Sequence, residues 1–196
     1  MGKMSEELLK QAVSKIAPKN VDEKIILRAY EILSSIRDGT EGHGITLVLG
    51  FDPLLHHRTV MDMTDDIFED GKEHINDPHM KDKIQDNREI DGAMLLDKNG
   101  KMVHSGMFFV ANPRYVLRKM GLERDGSLPE NFGFSKPVGT RHICSIGASW
   151  KMKDSFVFVL SENREVRLFH NGMIAYSDYP EEINWEPKEA SNDDEE

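Results

Sequence analysis

Two Asn-Gly dipeptides, Asn99-Gly100 and Asn171-Gly172, each lie between apolar runs, and they constrain the fold more than any other feature of the chain. Asn-Gly accepts the left-handed backbone of a tight hairpin turn, so each dipeptide predicts two neighbouring antiparallel strands. The first joins Ala93-Met94-Leu95-Leu96-Asp97 to Met102-Val103-His104-Ser105-Gly106-Met107-Phe108-Phe109. The second joins Val166-Arg167-Leu168-Phe169-His170 to Met173-Ile174-Ala175-Tyr176. Two further apolar runs, Ile45-Thr46-Leu47-Val48-Leu49-Gly50 and Phe156-Val157-Phe158-Val159-Leu160, are strand-sized.

Helical segments alternate with these strands. Val21, Ile25, Ala29, Ile32, Leu33 and Ile36 recur at helical spacing, with Asn20 as the expected N-cap and Gly39 as the stop. A shorter helix is expected over residues 5–17, separated from the next by Pro18. Asp77-Pro78 predicts a helix running to about residue 89, with Met80 and Ile84 inward. Asn112-Pro113 opens another that Gly121 ends, and Gly139-Thr140-Arg141-His142 opens a third with Ile143, Cys144, Ile146 and Gly147 on its buried side. Hairpins interspersed with helices exclude a purely parallel doubly wound sheet. The expectation is α/β: a mixed central sheet flanked by helices, with an N-terminal helical appendage. Residues 1–41 form that appendage, 42–182 the main domain and 183–196 an acidic, disordered tail.

Charge and composition narrow the partners. The formal net charge is −10, which repels phosphate backbones and argues against general nucleic-acid binding. No apolar run approaches the ~20 residues of a spanning helix, and no signal-peptide core follows Met1, so neither a membrane nor a secretory route is expected. Cys144 is the single cysteine, which agrees with a reducing, cytoplasmic setting. An anionic ligand would need a local positive site against this acidic background.

Three segments supply such chemistry. Asp91-Gly92-Ala93 precedes a buried strand, where Asp91 could orient a hydroxyl or bind a divalent metal; taken alone, Asp-Gly is also a common turn. Gly139-Thr140-Arg141-His142 places a glycine, a hydroxyl and a guanidinium at a helix start, where free N–H groups and the helix dipole favour phosphate. Ser161-Glu162-Asn163 ends a strand, and ligands in open sheets collect at the carboxyl ends of strands. No Walker A pattern, no G-x-G-x-x-G after a strand and no H-E-x-x-H occurs. His56-His57, and His74 with His79, lack ligand spacing and are expected in solvated loops.

In this order the three segments resemble the diadenylate cyclase family, whose marks are D-G-A, G-T/A-R-H and a strand ending in S-E. The resemblance extends through residues 44–50 and Val166-Arg167-Leu168-Phe169-His170-Asn171-Gly172, and is strongest to archaeal-type, stand-alone members without a DNA-binding domain. It implies that two ATP-loaded subunits face each other and condense two ATP into cyclic di-AMP with loss of two pyrophosphates, in a homodimer or higher homo-oligomer. It implies Mn²⁺ or Mg²⁺ as cofactor. By carry-over, Asp91, Arg141 and His142 are catalytic. Gly92, Ala93, Gly139, Thr140, Arg141, Ser161 and Glu162 bind ATP, and Asp91, His142 and Glu162 hold the metal. The chain departs from the common pattern at Ile143, where many members carry a second arginine, and in residues 112–138, which read as an insertion. The departure at Ile143 motivates an alternative: a nucleotide-binding sensor that kept the pocket and lost turnover.

Overall fold

The computed structural model describes residues 2–16, 20–39, 44–68, 71–86 and 91–183. Residues 40–43, the end of the helix expected to reach residue 89, and the acidic tail from 184 onward lie outside the described residues.

Among the described residues seven strands form one mixed sheet in the order β2-β4-β3-β1-β5-β6-β7. They are β1 (Ile45–Leu49), β2 (Val60–Asp62), β3 (Ala93–Leu96), β4 (Met102–Phe109), β5 (Phe156–Leu160), β6 (Val166–His170) and β7 (Met173–Ser177). Both expected hairpins form, β3 with β4 and β6 with β7, and Asn171 and Gly172 take φ of 50° and 79° in the second turn. Among the described residues only β1 and β3 run parallel, and the other neighbouring pairs are antiparallel. The short edge strand β2 has buried Val60 but exposed Met61 and Asp62, so it carries little periodic signal.

Helices cover both faces. On one lie α1 (Gly2–Ile16), α2 (Glu23–Gly39) and α4 (Met80–Asp86), whose Leu9, Val13, Ile26, Leu33, Met80 and Ile84 pack with Ile45, Leu47, Phe156, Phe158 and Leu168 of the sheet. On the other lie α5 (Pro113–Met120), the one-turn α6 (Leu128–Asn131) and α7 (Thr140–Lys151). There Val116, Leu117 and Ile146 meet Val48, Leu95, Val157 and Phe169. A one-turn α3 (Pro53–His56) follows β1. The period-2 alternation of the central strands therefore feeds two separate cores.

Local differences from expectation have local causes. The second helix is capped by Asp22, whose Oδ1 accepts the Lys24 N–H at 2.9 Å, while the Asn20 amide donates to Asp154 at 3.3 Å. His56 is buried, not solvated: its Nδ1 accepts the Asp52 N–H at 3.1 Å, its ring lies 5.7 Å from that of Phe51, and burial lowers its pKa. On α7 the side chains of His142, Ser145 and Ser149 are buried, whereas Cys144 is only half-buried.

Candidate nucleotide site

A cavity of about 420 Å³ opens at one end of the sheet, a size within the range of small-molecule sites. Its walls come from the amino ends of β1 and β3, the carboxyl ends of β4 and β5, the start of β6, and the first turns of α7. The cavity thus lies at the entrances of β1 and β3, the parallel pair among the described strands, and the carboxyl-end rule holds for β4 and β5.

Asp91, Arg141 and Glu162 meet at its mouth. Arg141 Nη2 lies 3.9 Å from Asp91 Oδ1, and Nη1 lies 3.9 Å from Glu162 Oε1. Both carboxylates are largely exposed, at 68% and 72% for their side chains, so the three charges form a loose triad that a ligand can enter. The guanidinium rests on Gly44: a Cβ there would sit 1.6 Å from Arg141 Nη1. Only glycine leaves Arg141 this seat, a requirement that the sequence did not flag.

Asp91 is held through its backbone. The Thr64 hydroxyl donates to the Asp91 carbonyl at 3.2 Å, and the Met63 and Thr64 N–H groups donate to Gly106 O. Gly92, next in the chain, has φ of +108°, and a Cβ on it would come within 2.5 Å of the Gly106 carbonyl carbon. The space that Gly92 leaves open is filled by the β4 backbone, where the β3–β4 register shifts. Ala93 is buried beside it and lines the cavity.

Gly139 is the N-cap of α7 and offers no side-chain acceptor to the first turn. The N–H groups of Thr140 and Arg141 precede the first intrahelical bond, which His142 makes to Gly139 O at 3.2 Å. An uncapped helix entrance beside a guanidinium is an anion site in its electrostatics. Thr140 is exposed at the rim. Ser161, at the end of β5, accepts the Glu165 N–H on its Oγ at 3.0 Å, which leaves its own hydroxyl proton free to donate.

His142 lines the cavity from a buried position. Arg167 Nη1 donates to its Nε2 at 3.2 Å. An arginine cannot accept, so Nε2 carries the lone pair and the neutral ring bears its proton on Nδ1. Burial, then the positive charges of Arg167 and Arg141, lower the His142 pKa to about 4. Arg167 is itself buried, at 1% exposure. Its Nε and Nη2 donate to the two oxygens of Glu182 at 2.9 and 3.2 Å, and Nη1 also reaches Glu165 at 3.2 Å. Glu182 also accepts from Ser135 and Ser177, and these bonds hold its carboxyl below the usual range despite burial. This Arg167–Glu182 pair was missed, although an arginine inside the apolar run 166–169 is a signal that a buried partner exists.

The donor set suits a divalent ion that arrives with phosphate. Asp91 and Glu162 supply two carboxylates that flank Arg141, and Mg²⁺ is commonly held by one or two carboxylates plus substrate phosphates. Among the described residues no three acid, histidine or cysteine side chains form a cage, and the His142 lone pair is already taken by Arg167. Cys144 also lines the cavity, and burial pushes its thiol up, away from thiolate character.

No family model and no curated protein matches this sequence. Among solved structures, the chain is similar to a hypothetical membrane spanning protein from Bacillus cereus, at 20% identity and a TM-score of 0.50. That match covers 79% of this chain but 61% of the other, so the chain spans less than two thirds of that neighbour's length; the likeness is one of fold. A double mutant of DacA from Staphylococcus aureus aligns at 18% identity and a TM-score of 0.48, over 82% of this chain and 90% of that one. No described helix of the present chain is long and apolar enough to cross a membrane.

Proposed function

We propose that this chain is a diadenylate cyclase. The observation that supports this reading most is the placement of Arg141 between Asp91 and Glu162, 3.9 Å from each, beside the uncapped entrance of α7. The three sequence segments that resemble the family lie 48 residues (139 − 91) and 22 residues (161 − 139) apart in the chain, yet they line one cavity.

In this reading Arg141, the Thr140 N–H and the Ser161 hydroxyl bind the triphosphate of one ATP. The exposed mouth lets a second subunit present its own ATP face to face. The 3′-oxygen of each ATP bonds to the α-phosphorus of the other, and the bond from that phosphorus to its bridging oxygen breaks. Pyrophosphate leaves with the electron pair, and Asp91 is placed to take the 3′-hydroxyl proton. Two such steps close the ring and release two pyrophosphates. A Mn²⁺ or Mg²⁺ ion held by Asp91 and Glu162 would neutralise charge on the phosphates. Catalysis is then mostly positioning and charge stabilisation. His142 serves as a positioning residue: as a neutral acceptor it holds Arg167 against the cavity wall.

Incubation of the purified protein with ATP and Mn²⁺ or Mg²⁺ should give cyclic di-AMP and pyrophosphate, resolved by chromatography. Asp91→Asn should lower turnover by about 10²–10⁴-fold without changing the melt, since the side chain is largely exposed. Full activity in that variant would remove Asp91 from the mechanism. The sensor alternative, motivated by Ile143, predicts ATP binding without product.

A further inference from the structure

Among the described residues, three buried side-chain polar atoms have no hydrogen-bond partner: Ser34 Oγ, Glu73 Oε2 and Ser145 Oγ. Of these only Ser145 lines the cavity, and it is fully buried, at 0% exposure. A buried serine on a helix usually satisfies itself by donating to a carbonyl one turn back. Ser149, on the same helix, does so to Ile146 O at 2.8 Å, and Ser155 donates to Met152 O at 2.6 Å. Ser145 makes no such bond. Leaving a buried hydroxyl unmade is costly, and a helix offers a ready remedy that this residue does not use.

The position of Ser145 says what it would meet. It lies four residues beyond Arg141 on α7, about 6 Å deeper along the helix axis. The phosphate-binding groups sit at the mouth. The buried apolar lining of the cavity is Ala93, Met107 and Phe109, a setting suited to a nucleobase, while the buried His142 and Arg167 that also line it are already bonded to each other. We infer that Ser145 is a ligand-binding residue whose hydroxyl hydrogen-bonds the nucleoside end of the nucleotide, at the floor of the cavity. This rests on the nucleotide reading of the site given above.

The test is calorimetric titration of wild type, Ser145→Ala and Arg141→Ala with ATP and with inorganic tripolyphosphate, each with Mg²⁺, together with ligand-free melts. Ser145→Ala should weaken ATP binding about threefold to tenfold, the worth of one neutral hydrogen bond. It should leave tripolyphosphate binding within about twofold and leave the ligand-free melting temperature unchanged or raised, because an unpaired buried hydroxyl is removed. Equal ATP affinity in wild type and Ser145→Ala, with Arg141→Ala impaired, would overturn this inference and keep the nucleotide reading. A parallel loss of ATP and tripolyphosphate affinity would also overturn it, as would a lowered ligand-free melt. Absence of ATP binding by wild type would overturn the nucleotide reading itself, and this inference with it.

Discussion

Adding one methyl group at Gly44 should disable Arg141 without unfolding the chain. An alanine Cβ at this position would lie 1.6 Å from Arg141 Nη1, 2.6 Å from Cζ and 3.3 Å from Nε. Ordinary contact begins near 3.5 Å, so the guanidinium must retreat by about 2 Å. It is the far end of a flexible side chain, and Gly44 does not adopt a left-handed backbone, so the fold absorbs the change at little cost. The displaced guanidinium leaves its place 3.9 Å from both Asp91 and Glu162. Charged hydrogen bonds are worth about 1.5–3 kcal/mol, so ATP affinity should fall by about 10–150-fold. Isothermal titration with ATP and Mg²⁺ measures the loss, and circular-dichroism melts check that the transition moves by no more than about 3 °C. If the effect runs through the guanidinium, Gly44→Ala combined with Arg141→Ala should bind no worse than Arg141→Ala alone. Additive losses in that cycle, or wild-type affinity in Gly44→Ala, would refute the reasoning.

Three further outcomes follow from the same geometry. Gly92→Ala should destabilise by about 2–4 kcal/mol in urea melts, because it combines a φ of +108° with a clash on the Gly106 backbone. His142, with its pKa lowered to about 4, is neutral in the folded chain while the unfolded chain takes up a proton near pH 6.5. Its contribution is therefore complete above about pH 6.5 and lost as pH falls toward 4, up to about 3 kcal/mol, and imidazole NMR shifts should show no protonation above about pH 5. Glu182→Ala should cost about 3–5 kcal/mol by leaving the buried Arg167 charge with Glu165 as its one remaining carboxylate partner among the described residues, and Arg167→Met in the same chain should recover most of it; no recovery would mean that packing, not charge, is at stake.

Much of the architecture was legible because its signals are local. The turn residues Asn99-Gly100 and Asn171-Gly172 announce hairpins through backbone preference alone, and Asn112, Pro113 and Gly121 bound α5 as N-cap, first-turn proline and left-handed C-cap. The Val21 to Ile36 periodicity likewise marks the buried face of α2. What escaped depends on partners distant in sequence. Gly44 matters only because Arg141, on another element, lies across it. Arg167 and Glu182 find each other through the β6–β7 hairpin and the 3₁₀ turn Pro180–Glu182 after it, and Glu182 stands in an acidic stretch that gives no sign of burial. Asp66 is a similar case: amid exposed acids it clamps β4 by accepting from the N–H and hydroxyl of Ser105 at 2.9 and 2.7 Å. The segments at the cavity could be named in advance, but not that Arg141 would span two carboxylates or that His142 would turn inward.

Strand β1 belongs to two compartments at once. Ile45, Leu47 and Leu49 are sealed by the amino-terminal helix pair, while the intervening Thr46 looks onto the cavity. The helices before residue 40 are accordingly a wall of the building and not a porch. Cutting them away to isolate a smaller unit would strip the greasy underside from the very strand that bears a cavity residue. A change in the packing of those helices would reach the cavity wall at Thr46 through its chain neighbours Ile45 and Leu47.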